Sequence, residues 1–105
     1  MSEEENDEII TEEMLWERIP ETNGMERANT YYELSARIYA RGQYDEALAL
    51  AETARDIYSE LGNNHANEEL AQAYSAIGYN LNQLKRMDEA ATAMSKAVEI
   101  GRAHV

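Results

Sequence analysis

Apolar residues along this chain recur every three or four positions, which is the spacing of one face of an α-helix. No stretch alternates apolar and polar residues in the way a half-buried strand does. The pattern is interrupted at Pro20, Gly24, Gly42 and Gly62. Between the interruptions it predicts an all-α protein of about five helices, over residues 11–19, 24–41, 44–61, 66–84 and 87–102.

Polar residues at the starts of these segments suit helix N-caps. Thr11 precedes the first segment, Asn23 the second and Asn64 the fourth. The side-chain oxygens of such residues accept hydrogen bonds from free backbone N–H groups in the first turn. Ile10 and Leu15 flank the first cap at the spacing of a hydrophobic staple. We therefore expect the first helix to begin directly after Thr11.

The chain also contains an internal repeat. When it is shifted by 43 residues, the second and third predicted helices align with the fourth and fifth, and residues of similar character coincide. The coinciding positions are Ala28 with Ala71, Tyr31 with Tyr74, Leu34 with Ile77, Ile38 with Leu81, Asp45-Glu46-Ala47 with Asp88-Glu89-Ala90, Ala54 with Ala97, and Ile57 with Ile100. Matches at one fixed shift indicate a duplicated helical hairpin.

At these positions the sequence resembles the tetratricopeptide repeat family. That family's motif has an early aromatic residue, an apolar-plus-small pair, a glycine-containing turn, an acid-acid-alanine start and a later alanine. The second copy matches with Tyr74, Ile77-Gly78, Leu81, Asp88-Glu89-Ala90 and Ala97. The first copy matches with Tyr31, Leu34-Ser35, Ile38, Gly42, Tyr44, Ala47 and Ala54. The resemblance covers roughly residues 28–105.

Two features depart from the family's pattern. The period is 43 residues instead of about 34, and the additional residues lie around SELGNNHANEEL, which resembles the family's long-helix variant. No proline closes either repeat. The resemblance implies antiparallel helical hairpins stacked as a short α-α superhelix. We expect an acidic arm with a short amphipathic capping helix over residues 1–22, and a two-repeat domain over residues 23–105, with repeats at about 28–62 and 66–102.

Small residues predict how closely the hairpins pack. Ala47, Ala51 and Ala54 form one stripe on the third helix, and Ser35 and Gly78 are small positions on the facing first helices. Such residues allow two helix axes to approach to the short end of the usual separation. The expected core consists of Tyr31, Leu34, Ile38, Leu48, Ile57, Leu61, Tyr74, Ile77, Leu81, Met94, Val98 and the alanines.

An isolated pair of repeats is only marginally stable, because each hairpin buries its apolar face only by stacking on a neighbour. The exposed end needs a cover, and the first helix is too apolar to stand free in water. Its capping or self-association candidates are Met14, Leu15, Trp16 and Ile19. We expect Trp16 to dock on its own chain, with docking on a second copy or on a foreign partner as the alternatives.

The net charge is −12, and most of it lies in the N-terminal arm: residues 1–26 carry −9 and residues 27–105 carry −3. This charge repels nucleic-acid phosphates and anionic lipid surfaces, so we expect no direct nucleic acid partner and no membrane. The arm either solvates the chain or docks against a basic partner. The absence of cysteine and of a long apolar run suggests a soluble, cytoplasmic protein.

Residues that could carry out chemistry are few. His65 and His104 fall between the repeats and at the C-terminus, and we expect both to be solvent-exposed spacers. Acidic runs such as Glu68-Glu69 and Asp88-Glu89 are typical of solvated faces and first helical turns. No metal-ligand spacing or glycine-rich phosphate loop is present, so we expect no catalytic residues, no cofactor and no metal.

One further stripe remains on the first helix of each repeat after the core stripe is subtracted. Its members are Asn29, Tyr32, Ala36 and Tyr39 in the first repeat and Gln72, Ser75, Tyr79 and Asn82 in the second. The resemblance implies that these positions line a concave groove that grips a peptide or a partner helix. The alternative is that Tyr32 and Tyr39 pack under the N-terminal helix. The stripe contains no basic residue, so we do not expect it to clamp acidic C-terminal tails.

These observations predict a non-catalytic interaction module, a small adaptor or regulator that binds a protein or peptide partner. One alternative is a self-assembling structural protein that forms a homodimer or larger assembly. Another is an acidic decoy for a nucleic-acid-binding protein, for which the charge of −12 is the reason.

Overall fold

A computed structural model describes residues 9–62 and 66–104 of the chain. Within those residues it has five α-helices: α1 (Glu12–Arg18), α2 (Gly24–Ala40), α3 (Tyr44–Leu61), α4 (Asn67–Gln83) and α5 (Met87–His104). A short 3-10 helix, Ile19–Glu21, joins α1 to α2, and the described residues contain no strand. The predicted all-α fold, with neighbouring helices packed as stacked hairpins, is confirmed.

The helix starts agree with their sequence signals in part. Thr11 is the N-cap of α1, and its side-chain oxygen accepts a hydrogen bond from the Met14 amide at 3.1 Å. Asn23 is the N-cap of α2 but makes no capping bond through its side chain. The N-cap residue of α4 is Ala66, and Asn64 lies outside the described residues.

The two hairpin turns share most of their backbone hydrogen bonds. In the first turn the Gln43 amide donates to the Ile38 carbonyl, and 43 residues later the Arg86 amide donates to the Leu81 carbonyl. Each turn also has a residue with positive φ at the same place: Gly42 at 81° and Lys85 at 66°. The repeat in the sequence is therefore a repeat of local backbone geometry as well.

The small residues lie where α2 meets α3 and where α4 meets α5. The Ser35 hydroxyl on α2 donates to the Ala47 carbonyl on α3 at 2.8 Å, so a short side chain on one helix reaches the backbone of the other. At the equivalent position, a Cβ atom on Gly78 would lie 2.5 Å from the Met94 sulfur and 3.4 Å from the Ala90 carbonyl oxygen. The close approach predicted from the alanine stripe is confirmed, and it serves packing within the chain.

Five of the eleven residues named for the core are buried, namely Leu34, Ile38, Leu48, Ile77 and Leu81. Five other predicted members are only partly buried: Tyr31, Ile57, Leu61, Tyr74 and Met94. Val98 is 55% exposed, so its assignment to the core was wrong; it lines a surface pocket beside Ala71, Gln72 and Ser75 of α4. The sequence pattern also missed two large hydrophobic side chains that are buried, Leu50 and Tyr58.

The first helix lies against its own chain, but its anchor is not the residue expected. Leu15 is 1% exposed and packs in a cluster with Leu34, Ile38, Ala47 and Leu50. Trp16 is 43% exposed and belongs to none of the buried clusters, so the prediction that Trp16 docks on its own chain was wrong. In a helix of seven residues, adjacent side chains point about 100° apart, so only one of the two can face the core.

Other residues of this segment secure it at its edges. Ile10 and Ile19 pack against the Leu15 cluster, and Met14 is partly buried. Arg41 at the end of α2 pairs with Glu12 at 3.0 Å, and the Arg27 side chain donates to the Ile19 carbonyl at 3.2 Å. Helix α1 therefore covers one end of the stack through one buried leucine and two polar contacts.

Candidate functional site

A groove lies between α2 and α4, the first helices of the two repeats. It holds a cavity of about 240 Å³. Its lining residues recur three or four apart along each helix, which places them on one helix face. They are Tyr32, Ser35, Ala36 and Tyr39 from α2, and Gln72, Ser75, Ala76, Tyr79 and Asn80 from α4.

The structure brings most of the sequence-predicted groove candidates to this cavity. Those that line it are Tyr32, Ala36, Tyr39, Gln72, Ser75 and Tyr79. Asn29 does not line it; its side-chain oxygen accepts a hydrogen bond from the Tyr58 hydroxyl instead. Asn82 is exposed and also lies outside the lining.

Three lining residues were not identified from the sequence: Ser35, Ala76 and Asn80. Their signal was present in the spacing, because Gln72, Ala76 and Asn80 follow one another at intervals of four and therefore share a helix face. Asn80 was missed because it stands directly before Leu81, beside the core stripe. A polar residue at that edge gives no indication of whether it faces the core or a groove.

The groove is not covered by the N-terminal helix. Tyr39 packs against the cluster around Leu15 and makes an edge-to-face contact with Tyr44, with ring centroids 5.2 Å apart. Tyr39 nevertheless lines the cavity as well, and no residue of α1 does. Its hydroxyl also accepts a hydrogen bond of 3.4 Å from Gln83 on α4, which links the two helices beside the groove.

The lining contains no charged residue but one buried carbonyl without a partner. Asn80 is 1% exposed, and its side-chain nitrogen donates to the Ala76 carbonyl at 2.8 Å. Its side-chain oxygen, Oδ1, is buried and accepts no hydrogen bond from any described residue. Buried polar atoms are nearly always paired in folded proteins, so this oxygen is an exception that requires an explanation.

A second polar group is buried close to this helix pair. Burial, with smaller contributions from the Glu69 carboxylate and Tyr32, raises the pKa of the Tyr58 hydroxyl well above its ordinary value of 10. The hydroxyl remains protonated and donates to Asn29. Tyr58 therefore ties α3 to α2, which is a structural task.

Within the described part of the chain, no group of three or more His, Asp or Glu residues could hold a metal ion. His65 and the side chain of His104 lie outside the described residues. None of the described helices combines the length and the apolar character that crossing a bilayer requires.

Comparison with known proteins agrees with the repeat geometry. No curated protein and no solved structure gives a significant match to the chain. A family model described as tetratricopeptide repeat matches residues 26–103, which cover both helical hairpins and the groove between them. With three quarters of its length matched and two hairpins of equivalent geometry, the chain belongs to the tetratricopeptide repeat family.

Proposed function

We propose that this protein is a small adaptor or regulator that binds a segment of a partner protein in the groove between α2 and α4. Tetratricopeptide repeats generally mediate protein–protein interaction, and the family is typically non-catalytic. The observation that carries the proposal is the groove itself, which is open, uncharged and lined by three tyrosines. Tyrosine offers a large rigid surface with one hydrogen-bonding group, which suits protein recognition.

The charge of the protein favours a basic partner. The net charge of −12 attracts positively charged segments over a distance and speeds their encounter with the groove. The lining has no lysine or arginine with which to hold a carboxylate. We therefore propose that the bound segment is neutral to basic, and that peptides with acidic C-termini are not preferred.

A groove-blocking substitution tests this proposal. Ala36 is an exposed residue of the groove lining, and Ala49 is an exposed alanine on α3 outside it. Peptides selected from a random display library on the wild-type chain should bind Ala49→Trp normally and lose binding to Ala36→Trp. If the selected peptides bind both variants as tightly as wild type, the groove is not the binding site.

Self-association is a second candidate, and one observation favours it. Under the 43-residue shift, Met94 and Val98 of α5 correspond to Ala51 and Arg55 of α3. Ala51 packs with Ile77 of α4, and Arg55 lies over a ring of the same helix. Met94 packs against Gly78 of α4, but Val98 is 55% exposed, and a second copy would cover it.

Light scattering over a concentration series tests this alternative. A dimer that dissociates on Val98→Asp would support self-association through α5, and a monomer at all concentrations would exclude it. The acidic-decoy hypothesis stays a prediction, and deletion of residues 1–22 is its test. Binding of a nucleic-acid-binding protein should disappear with the arm if the hypothesis holds.

A further inference from the structure

A second pocket, which we call the C-terminal slot, lies between α4 and α5 at the end of the stack. It has a volume of about 360 Å³ and adjoins the groove between α2 and α4, since Gln72 and Ser75 line both. Its lining residues are Glu68, Ala71, Gln72 and Ser75 of α4, and Ala97, Val98 and Gly101 of α5. Val98 is 55% exposed and Gly101 is exposed as well, so the slot opens to the surface.

The first repeat shows what fills the equivalent place. Under the 43-residue shift, the slot lining corresponds to Met25, Ala28, Asn29, Tyr32, Ala54, Arg55 and Tyr58. All of these except Asn29 and Arg55 pack in one apolar cluster, to which α4 contributes Ala73. Tyr58 is 2% exposed there, but the second repeat has Gly101 at its position. The slot is therefore the open counterpart of a filled cluster, and the ring that it lacks is aromatic.

The hydrogen-bonding residues at the slot narrow the choice of aromatic side chain. In the first repeat the Tyr58 hydroxyl donates to the side-chain oxygen of Asn29. Gln72 has the position of Asn29 in the second repeat, and Glu68 lines the slot one turn before it. Buried tyrosine O–H and tryptophan N–H groups usually have a hydrogen-bond partner. The slot thus suits tyrosine or tryptophan better than phenylalanine.

Trp16 is an aromatic residue of this kind that its own chain leaves open to solvent. It is 43% exposed and belongs to none of the buried clusters. Helix α1 packs against α2, whereas α5 packs against α4, so Trp16 and the slot lie at opposite ends of the stack. A Trp16 side chain that enters the slot therefore comes from a second copy.

The distribution of charge favours contact between unlike ends. Residues 1–26 carry −9, whereas residues 84–105 contain four basic and three acidic residues and carry +1. Two N-terminal ends brought together would repel each other, and an N-terminal end placed on a C-terminal end avoids that repulsion. Arg102 stands beside the slot, and Glu13 lies three residues before Trp16 on the same side of α1. These two side chains have opposite charges at the edge of the contact.

We propose that the protein associates head to tail, with Trp16 of one copy inserted in the C-terminal slot of the next. The inference rests on self-association, the second candidate function, and specifies the residue and the site that join the copies. The indole ring takes the place that Tyr58 has in the first repeat, and its N–H donates to Gln72 or Glu68. Each contact joins unlike surfaces and leaves one tryptophan and one slot free, so the assembly grows with concentration.

Fluorescence of Trp16, the single tryptophan, reports the insertion directly. In the wild type its emission should shift to shorter wavelength as the concentration rises, because the ring leaves water, while light scattering shows a rising mass. Gly101→Tyr should fill the slot from within and abolish both signals, and it should fold because a Cβ atom there meets open space. Thr92→Tyr is the matched control, since Thr92 is exposed on the opposite side of α5 and should leave association unchanged.

A mixture of two variants tests the head-to-tail arrangement. Trp16→Ala keeps the slot and lacks the tryptophan, whereas Gly101→Tyr keeps the tryptophan and lacks the slot. Each alone should associate at least about tenfold more weakly than the wild type. Mixed in equal amounts, they should form a 1:1 heterodimer and nothing larger, because one tryptophan and one slot remain. A mixture that stays monomeric while the wild type associates overturns the inference.

The outcomes separate this inference from the proposals made above. A wild-type chain that is monomeric at all concentrations overturns self-association and the insertion of Trp16 together, and leaves the groove function intact. Association that Val98→Asp abolishes but Trp16→Ala and Gly101→Tyr do not supports contact through α5 and overturns the insertion. If either slot variant fails to fold, a wild-type emission that stays constant while the mass rises overturns the inference by itself.

Discussion

Replacing Leu15 by alanine tests how this two-repeat stack is closed at its N-terminal end. Leu15 is 1% exposed and belongs to one buried cluster with Leu34, Ile38 and Leu50, which are residues of the first repeat. Leu15→Ala removes the apolar anchor of α1 and leaves either a cavity or a detached helix. Both outcomes expose or unpack the apolar face of α2.

The magnitude follows from the burial. A fully buried leucine replaced by alanine reduces the free energy of unfolding by about 2–5 kcal/mol. We expect the lower part of that range, about 2–3 kcal/mol, because a helix of only seven residues can undock instead of enclosing a cavity. For a domain of this size the melting temperature should fall on the order of 10–20 °C.

The assay combines two signals. Circular dichroism reports all helices, whereas the fluorescence of Trp16 reports α1 alone, because Trp16 is the single tryptophan of the chain. In the wild type the two transitions should coincide. In Leu15→Ala the fluorescence transition should come at a lower temperature than the loss of helix.

Trp16→Ala is the comparison variant. Its side chain is 43% exposed and belongs to none of the buried clusters, so the substitution should lower stability less than Leu15→Ala does. A Leu15→Ala protein that melts within a couple of degrees of wild type, or a Trp16→Ala protein that loses at least as much stability, would refute the reasoning.

Three further substitutions test local features of the repeats. Gly78→Ala should destabilise the wild type, because the new methyl group meets the Met94 sulfur. In a Met94→Ala background the same substitution should stabilise the protein by about 0.5–1 kcal/mol, because alanine has the higher helix propensity. Equal effects in both backgrounds, measured by thermal melts, would contradict the contact. Lys85→Gly should raise the free energy of unfolding by up to about 1 kcal/mol, since Lys85 has a φ of 66° where the first repeat has Gly42. Denaturant unfolding measures this free energy, and a lower value for the variant would exclude backbone strain at Lys85. The pKa of Tyr58 is higher in the folded than in the unfolded state. The contribution of its protonated hydroxyl to the free energy of unfolding is therefore full below about pH 10 and is lost as the pH rises further. Stability measured against pH should therefore fall less steeply in this alkaline range for Tyr58→Phe, and an unchanged slope would show that Tyr58 is not the group responsible.

The helices, the turns and the repeat could be predicted because their signals are local. Apolar residues spaced by three or four specify helix faces, and one shift of 43 residues reveals the second hairpin, which shares most of the turn bonds. Small residues such as Ser35 and Gly78 also carried reliable information, because a close helix approach excludes larger side chains.

Errors arose where a residue's neighbour on another helix decides its burial. Val98 has the same apolar character as the true core residues, but its neighbours on α4 leave it 55% exposed. Trp16 and Leu15 are equally apolar by sequence, and the rotation of α1 against α2 decides that Leu15 faces inward.

The sequence by itself determined the all-α class, the two hairpins and the tyrosine-bearing stripe, because helical periodicity is a property of residues close together in the chain. Only the tertiary structure decided which residues line the groove and that the Asn80 side-chain oxygen is buried without a partner among the described residues. Burial and hydrogen-bond pairing depend on atoms contributed by residues far apart in the chain, and no local pattern records them.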